Sequence, residues 1–194
     1  MSRFLCPAIA FLLAAPIAGA GLPARAADDA AGLIDKAKTA LAAGRTTKAY
    51  LALSNALAEL AARTPLFLTA GALVQAPSRG YGQYDARPHN AYTRNERIQV
   101  YVEPAGFDHA REGDLYRISL VCDYAILTTD GRTLTADRAL KEVDIISRQA
   151  NTELGVDLLL PYLDLKPGSY VLEVIVRDKL ANDSAKVRLP FRAM

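Results

Sequence analysis

Apolar positions follow three different rhythms along this chain. Between Phe4 and Ala24 no residue is charged, and Phe, Leu, Ile and Ala predominate. Between Asp28 and Ala62 apolar residues recur at helical spacing, first as Leu33, Ile34, Ala37 and Leu41, then as Ala49, Leu53, Ala56, Leu57 and Leu60. From Leu66 onward the period shortens to two, as a half-buried strand requires, because its successive side chains point to opposite faces.

The middle region reads as two antiparallel helices joined by a short turn. It is rich in alanine and holds no proline. Asp28 or Asp29 is placed to cap the first helix. Gly44 can end it in a left-handed conformation, and Thr46 or Thr47 can cap the second. Pro65 stops the pattern. In Ala37-x-x-Ala40-Leu41-x-x-Gly44, followed by Ala49-Tyr50 and Ala56-Leu57, the region resembles one tetratricopeptide-type helical unit. A lone unit of that kind cannot bury its own apolar face, and at least about three are normally stacked. The pattern occurs once, so the hairpin is expected to pack on the following domain or on a partner.

In the third region Ile98, Val100 and Val102 alternate with Gln99, Tyr101 and Glu103. Leu120 to Leu127 approaches Asp130-Gly131, a hairpin signal, and Thr133-Leu134 follows. Val143 and Ile145 are assigned to a further strand, as are Val156, Leu158 and Leu160. Pro167-Gly168 makes a turn, after which Tyr170, Leu172, Val174 and Val176 share one face. A last strand runs from Ala185 to Phe191. Short strands at regular spacing with turn residues between them predict an antiparallel sandwich over residues 65–194, preceded by the hairpin over 27–64.

Leu165-x-Pro167-Gly168-x-Tyr170-x-Leu172-x-Val174-x-Val176-x-Asp178 resembles the late-strand region of immunoglobulin-like and fibronectin-like domains. That resemblance implies a structural role for Tyr170, its hydroxyl tied to the preceding corner. The paired cysteines of antibody-type domains are absent, so only the architecture carries over. The uncharged N-terminal segment, hairpin and sandwich, with Tyr101-Val102-Glu103-Pro104, Gly106-Phe107 and Leu189-Pro190-Phe191, resemble an uncharacterised family of exported bacterial proteins. That resemblance implies no activity.

The first region has the order of a secretory signal: Arg3, then an apolar run, then the small residues Ala18-Gly19-Ala20 and Ala24-Arg25-Ala26. Its length would also suit an uncleaved membrane anchor. Pro7, Pro16, Gly19, Gly21 and Pro23 oppose a stable spanning helix. Residues 1–26 are therefore read as a signal peptide, cleaved after Ala20 or Ala26, and the mature chain as periplasmic or secreted and not membrane-spanning. Loss of Arg3 and Arg25 brings the 23 basic residues level with the 21 acidic ones. Such a balance gives no electrostatic case for nucleic acid as partner. Cys6 leaves with the signal, so Cys122 has no internal disulfide partner. Its strand face is shared with Tyr116, Ile118, Leu120, Tyr124 and Ile126, which makes it a buried small hydrophobe rather than a nucleophile.

Candidate chemistry is sparse. The two histidines, His89 and His109, lie in loop-like segments without zinc-ligand spacing, so no metal or cofactor is expected. No Gly-x-Ser-x-Gly elbow is present, and Glu103, Asp108 and Glu112 read as a solvated loop edge, so no catalytic residue is assigned. Gly80-Tyr81-Gly82 lacks the lysine and the following helix of a phosphate loop. The segment with recognition chemistry is Arg79 to Tyr92, where Tyr81, Tyr84 and Tyr92 alternate with Arg87 and His89. It suits binding of a sugar or peptide, or else forms a strand whose tyrosines cover the sandwich edge. These features together predict a non-catalytic binding module for a protein or an envelope component. An enzyme acting on envelope polymers, or a proteinase inhibitor or chaperone-like module, are the rival readings. N-terminal sequencing of the exported protein should find a mature chain beginning near Ala27. Intact Met1 in the membrane fraction would contradict the signal reading.

Overall fold

The computed structural model describes residues 24–94, 96–161 and 163–194. The proposed signal therefore lies mostly outside the described residues. Helix α1 (Ala24–Ala42) starts before Asp28 and Asp29, which lie inside it rather than at its cap. Cleavage after Ala26 would remove its first residues, whereas cleavage after Ala20 would leave it whole. Gly44 ends the helix at φ +68°, with its N–H on the Leu41 carbonyl and that of Arg45 on Ala40. This is the left-handed exit that glycine adopts without a Cβ clash. Helix α2 (Thr46–Ala61) takes Arg45 as its N-cap, with no side-chain hydrogen bond, so neither threonine caps it.

The helices meet through Ala37, Ala40 and Ala49, with Ala52 packed alongside. These side chains permit a close approach but bury little area, at roughly 25 cal/mol per Å². The expected docking of the hairpin on the strands is not observed: the helices pack on each other, and neither makes an extended contact with a strand. What joins the hairpin to the rest is its exit. The Leu66 N–H donates to Asp183 Oδ2 at 2.8 Å. A Cβ on Gly106 would lie 2.7 Å from the Pro65 carbonyl and 2.8 Å from that of Thr64, so the chain can cross there only over glycine.

The remainder is mainly β, two sheets of largely antiparallel strands that pack face to face as a sandwich. The smaller sheet has the order β1 (Phe67–Leu73), β3 (Gln99–Ala105), β7 (Val156–Leu159). The larger runs β2 (Ala91–Tyr92), β9 (Asp183–Ala193), β8 (Gly168–Asp178), β5 (Leu115–Thr128), with β6 (Thr133–Ser147) on the other edge of β5. Short β4 (Ala110–Glu112) pairs with the start of β5, where β8 does not reach. Strand β2 is parallel to β9 and the other pairings are antiparallel. Between the sheets lie Val100, Val102, Ile118, Leu120, Cys122, Ile126, Leu158, Leu172, Val174 and Val176, all buried. The alternation therefore oriented β3, β5 and β8 correctly. Burial pushes the Cys122 thiol up to about 12.

Two strand assignments change. Thr133-Leu134 and Val143-Ile145 belong to one strand, β6, rather than two. It is interrupted where register with β5 slips between Asp137 and Lys141. There Ala139 takes φ +57° and its N–H donates to Asp123 Oδ1 at 2.8 Å. Asp123, buried on β5, also accepts two bonds from the Arg177 guanidinium, at 2.7 and 2.9 Å. The bulge thus supplies a donor to a buried carboxylate, which is what such a group requires. The β5–β6 turn also differs from a two-residue hairpin. The Thr128 N–H reaches the Arg132 carbonyl and Gly131 has φ +90°, as in a three-residue loop closed by a glycine bulge.

Tyr170 is half-buried, its hydroxyl donating to the Lys166 carbonyl at 2.8 Å and its ring 5.7 Å from that of Phe191. Tyr170→Phe should remove that bond alone and cost about 1 kcal/mol. Tyr170→Ala should also lose the ring packing, for roughly 2–4 kcal/mol. Denaturant melts separate the two terms, and an Ala variant that melts like the parent would exclude a structural role.

Candidate functional site

The recognition segment does not form the edge strand considered as its alternative. Apart from β2, it is a folded loop on the outer face of the smaller sheet, and its base is a strand partnership. The Arg87 N–H donates to the Leu73 carbonyl at 2.8 Å and that of Gln75 to Asp85 at 3.1 Å, around a bridge between Val74 and Ala86. The tip closes on itself through Arg79 N–H to the Gln83 carbonyl, 2.8 Å, and Gln83 N–H to the Gly80 carbonyl, 3.0 Å. Gly80 and Gly82 both have positive φ, at +153° and +69°, which explains why glycines flank Tyr81.

Beneath the tip, the alternation of β3 has an unexpected outcome. Tyr101 and Glu103 occupy its outward face, yet both are buried, because the loop covers them. The Tyr101 hydroxyl donates to Glu103 Oε1 at 2.9 Å and accepts the Gly82 N–H at 2.9 Å. Thr69 Oγ1 lies 3.3 Å from Glu103 Oε2. Tyr84 stacks on the Tyr101 ring, centroids 4.5 Å apart and planes at 29°. Asp157 accepts from the Ser78 N–H and hydroxyl at 2.9 and 2.7 Å, and Arg79 pairs with Asp85 at 2.9 Å. Burial pushes the Tyr101 hydroxyl up to about 12, against the Gly82 hydrogen bond. These groups were missed because Glu103 read as part of a solvated loop edge and Tyr101 only as the alternate of the core positions Val100 and Val102. Period-two alternation reports the sheet and carries no signal of a loop folding over it.

The five residues grouped by sequence divide between two places. Tyr81 stands at the loop tip, 42% exposed, and Tyr84 is half-buried beside it. At the other end of the segment, the Arg87 guanidinium lies 4.0 Å over the Tyr92 ring and 2.5 Å from Glu96 Oε1. Arg87 Nε also donates to the Ala91 carbonyl at 2.8 Å. Tyr92 is buried, packs edge-on to Phe191, and its hydroxyl has no hydrogen-bond partner among the described residues. Burial pushes that hydroxyl up to about 12, against the Arg87 charge. His89 is exposed, in a short 3₁₀ turn (Pro88–Asn90) at φ +58°. Arg87 and Tyr92 thus form a packed structural pair, whereas Tyr81 and His89 reach solvent.

The acidic trio disperses: Glu103 is buried, Asp108 Oδ1 accepts its neighbour His109's N–H, and exposed Glu112 sits 3.5 Å from Arg117. The His109 ring nitrogen is 2.9 Å from the Asn151 carbonyl, and the ring packs near Phe107 and Tyr116. Among the described residues, no three His, Cys, Asp or Glu side chains gather as metal ligands. No helix among them is long and apolar enough to cross a membrane. A separate cleft of about 650 Å³ lies beside Tyr170, lined by Arg132, Leu134, Leu163, Leu165 and Lys166.

No family model matches the chain, and neither does any curated protein. Among solved structures, it is similar to the C-terminal domain of wzt, at 14% identity and TM-score 0.42, over 67% of this chain and 74% of that one. An immunoglobulin-like protein from Pseudomonas aeruginosa matches at 11% identity and TM-score 0.31, over 68% and 93%. The superoxide reductase of Ignicoccus hospitalis matches at 18% and 0.34, over 66% and 82%. At these scores none of the likenesses bears on what this chain does.

Tyr101→Phe should cost about 1–3 kcal/mol, because it withdraws a donor from a buried carboxylate and an acceptor from Gly82. Amide exchange at residues 79–84 should speed up with it. Tyr92 and Tyr101 stay neutral in the fold up to about 12, whereas the unfolded chain ionises near the usual 10.0. Their contribution is complete below pH 10 and is lost as pH rises toward 12. Denaturant midpoints measured across that window should fall, and should fall less steeply in Tyr101→Phe.

Proposed function

We propose that this chain is an exported, non-catalytic recognition module, acting in the periplasm or outside the cell, whose contact surface is the loop tip from Arg79 to Gln83. The observation that carries the reading is the bracing of that tip. Tyr81, exposed at the tip, sits between two glycines whose backbone is fixed from below by the Tyr101 hydroxyl and laterally by Asp157 through Ser78. A contact surface already held in one conformation loses little ordering entropy on binding. Tyrosine suits the anchor position, since its ring supplies contact area with few rotatable bonds and its hydroxyl a directional bond. Arg79 and Gln83 flank it, both exposed, and add charge and amide donors. His89 belongs to a separate exposed turn and serves as a secondary contact.

The partner that fits is a protein segment or an envelope component with an apolar or planar group for Tyr81 and an acceptor for Arg79. The enzyme reading needs converging carboxylates in a cleft, and the buried position of Glu103 argues against it. The inhibitor reading shares the braced loop and differs in the nature of the partner.

Immobilised mature protein, challenged with periplasmic extract and with isolated envelope material, should retain a component that Tyr81→Ala loses. The melting midpoint of that variant should match the parent, since Tyr81 lies outside the core. Retention of the same component by Tyr81→Ala, or of none by the parent, would overturn the reading.

A further inference from the structure

The helical hairpin has two chemically different sides. One carries a shallow groove of about 490 Å³ lined by Asp35, Lys36, Thr39, Arg45 and Lys48. On α2 the other carries Tyr50, Leu53, Leu57 and Leu60, exposed to 71, 46, 55 and 47%. Their spacing of three, four and three residues places them on one stripe of the helix. Helical geometry puts Leu41, 53% exposed, and half-buried Ile34 on the same side of the pair, opposite the polar groove. No described strand makes an extended contact with either helix.

We infer that this apolar side of the hairpin is a homodimer interface, closed by the same side of a second copy of the chain to give a four-helix bundle. Three features select a second copy. First, the stripe is free of charge and flanked on α2 by Ala49, Ser54, Ala56 and Ala61, so a two-fold pairing brings no like charges together. The charges nearest to it are already neutralised within the hairpin, Lys38 by Asp35 at 3.0 Å and Arg63 by Glu59 at 2.6 Å. A partner recognised by charge finds no counterpart here, whereas a copy is self-complementary. Second, the exposed leucines and Tyr50 present roughly 500 Å², at the large end of what a monomer leaves bare. Face-to-face pairing that covered all of it would remove on the order of 1,000 Å² from water, the lower bound for a specific interface and the size of a weak, micromolar one. Third, the Ala37–Ala40–Ala49 contact is too small to order two helices by itself, and two such hairpins supply the layer that one lacks. This inference is independent of the tyrosine loop, since Tyr81 lies on the sandwich.

Sedimentation velocity on the full mature protein, across a dilution series, tests it. The parent should sediment as a dimer at micromolar concentration. Leu57→Glu, which places a charge at the centre of the stripe, should sediment as a monomer with an unchanged melting midpoint for the sandwich. Leu57→Ala should raise the dimer dissociation constant on the order of tenfold or more. Leu51→Glu, exposed but off the stripe, should remain dimeric. A parent that stays monomeric at high micromolar concentration would overturn the inference. So would a dimer that survives Leu57→Glu, or one that Leu51→Glu dissociates equally well.

Discussion

A carboxylate taken out of water must be given hydrogen-bond donors, and Glu103 is a carboxylate buried on the face of a sheet that would ordinarily be wet. Its donors are the hydroxyls of Tyr101 and Thr69. No cationic group bonds to it among the described residues. The arrangement holds only if water is kept out, and the excluding element is the loop from Gln75 to Arg87. The loop in turn is held by what it covers, through Gly82 on the Tyr101 hydroxyl and Tyr84 on the Tyr101 ring. Burial and bonding are thus mutually dependent: the polar cluster sets the loop's conformation, and the loop keeps the cluster in a low-dielectric setting where its bonds are strong.

Asp123 poses the same problem on the larger sheet and receives a different answer. Its neighbours are an arginine across the strand pair and a backbone N–H freed by a bulge. There the solution distorts a strand, whereas at Glu103 it recruits a loop and leaves a tyrosine standing in solvent. Only the second arrangement creates a braced surface that a partner could meet. Asp178, buried at the end of β8, takes the backbone N–H groups of Asp108, Leu180 and Ala181, and so serves the corner alone.

The fold was largely legible in the sequence because β8 buries one face, and a period of two survives that. Leu172, Val174 and Val176 are all fully buried, as their alternation requires. Gly44 was equally legible, since its role is local. What escaped was non-local. The positive φ of Ala139 is dictated by Asp123, sixteen residues away, and alanine carries no mark of it. The loop's hold on Tyr101 spans nineteen residues and rests on side-chain bonds that leave no rhythm. Arg87 and Tyr92 were grouped with Tyr81 as a surface, although each finds its partner inward, Arg87 on Glu96 and Tyr92 on Phe191. Composition alone does not separate a tyrosine that seals from one that reaches out.

Strand β6 is fifteen residues long and pairs only with β5 among the described strands, so one of its edges offers unmatched backbone groups to any passing chain. Long open edges of this kind seed fibrils. The irregularity at Ala139 interrupts the row of donors and acceptors near its middle, and Asp137, Arg138, Lys141, Glu142 and Asp144 crowd the positions around it. An incoming strand would meet a break in register between Asp137 and Lys141. The same backbone distortion that satisfies a buried aspartate therefore also divides the long open edge into two shorter ones. Straightening it, even by a substitution that left Asp123 well bonded, would restore one long edge of the kind that proteins ordinarily interrupt.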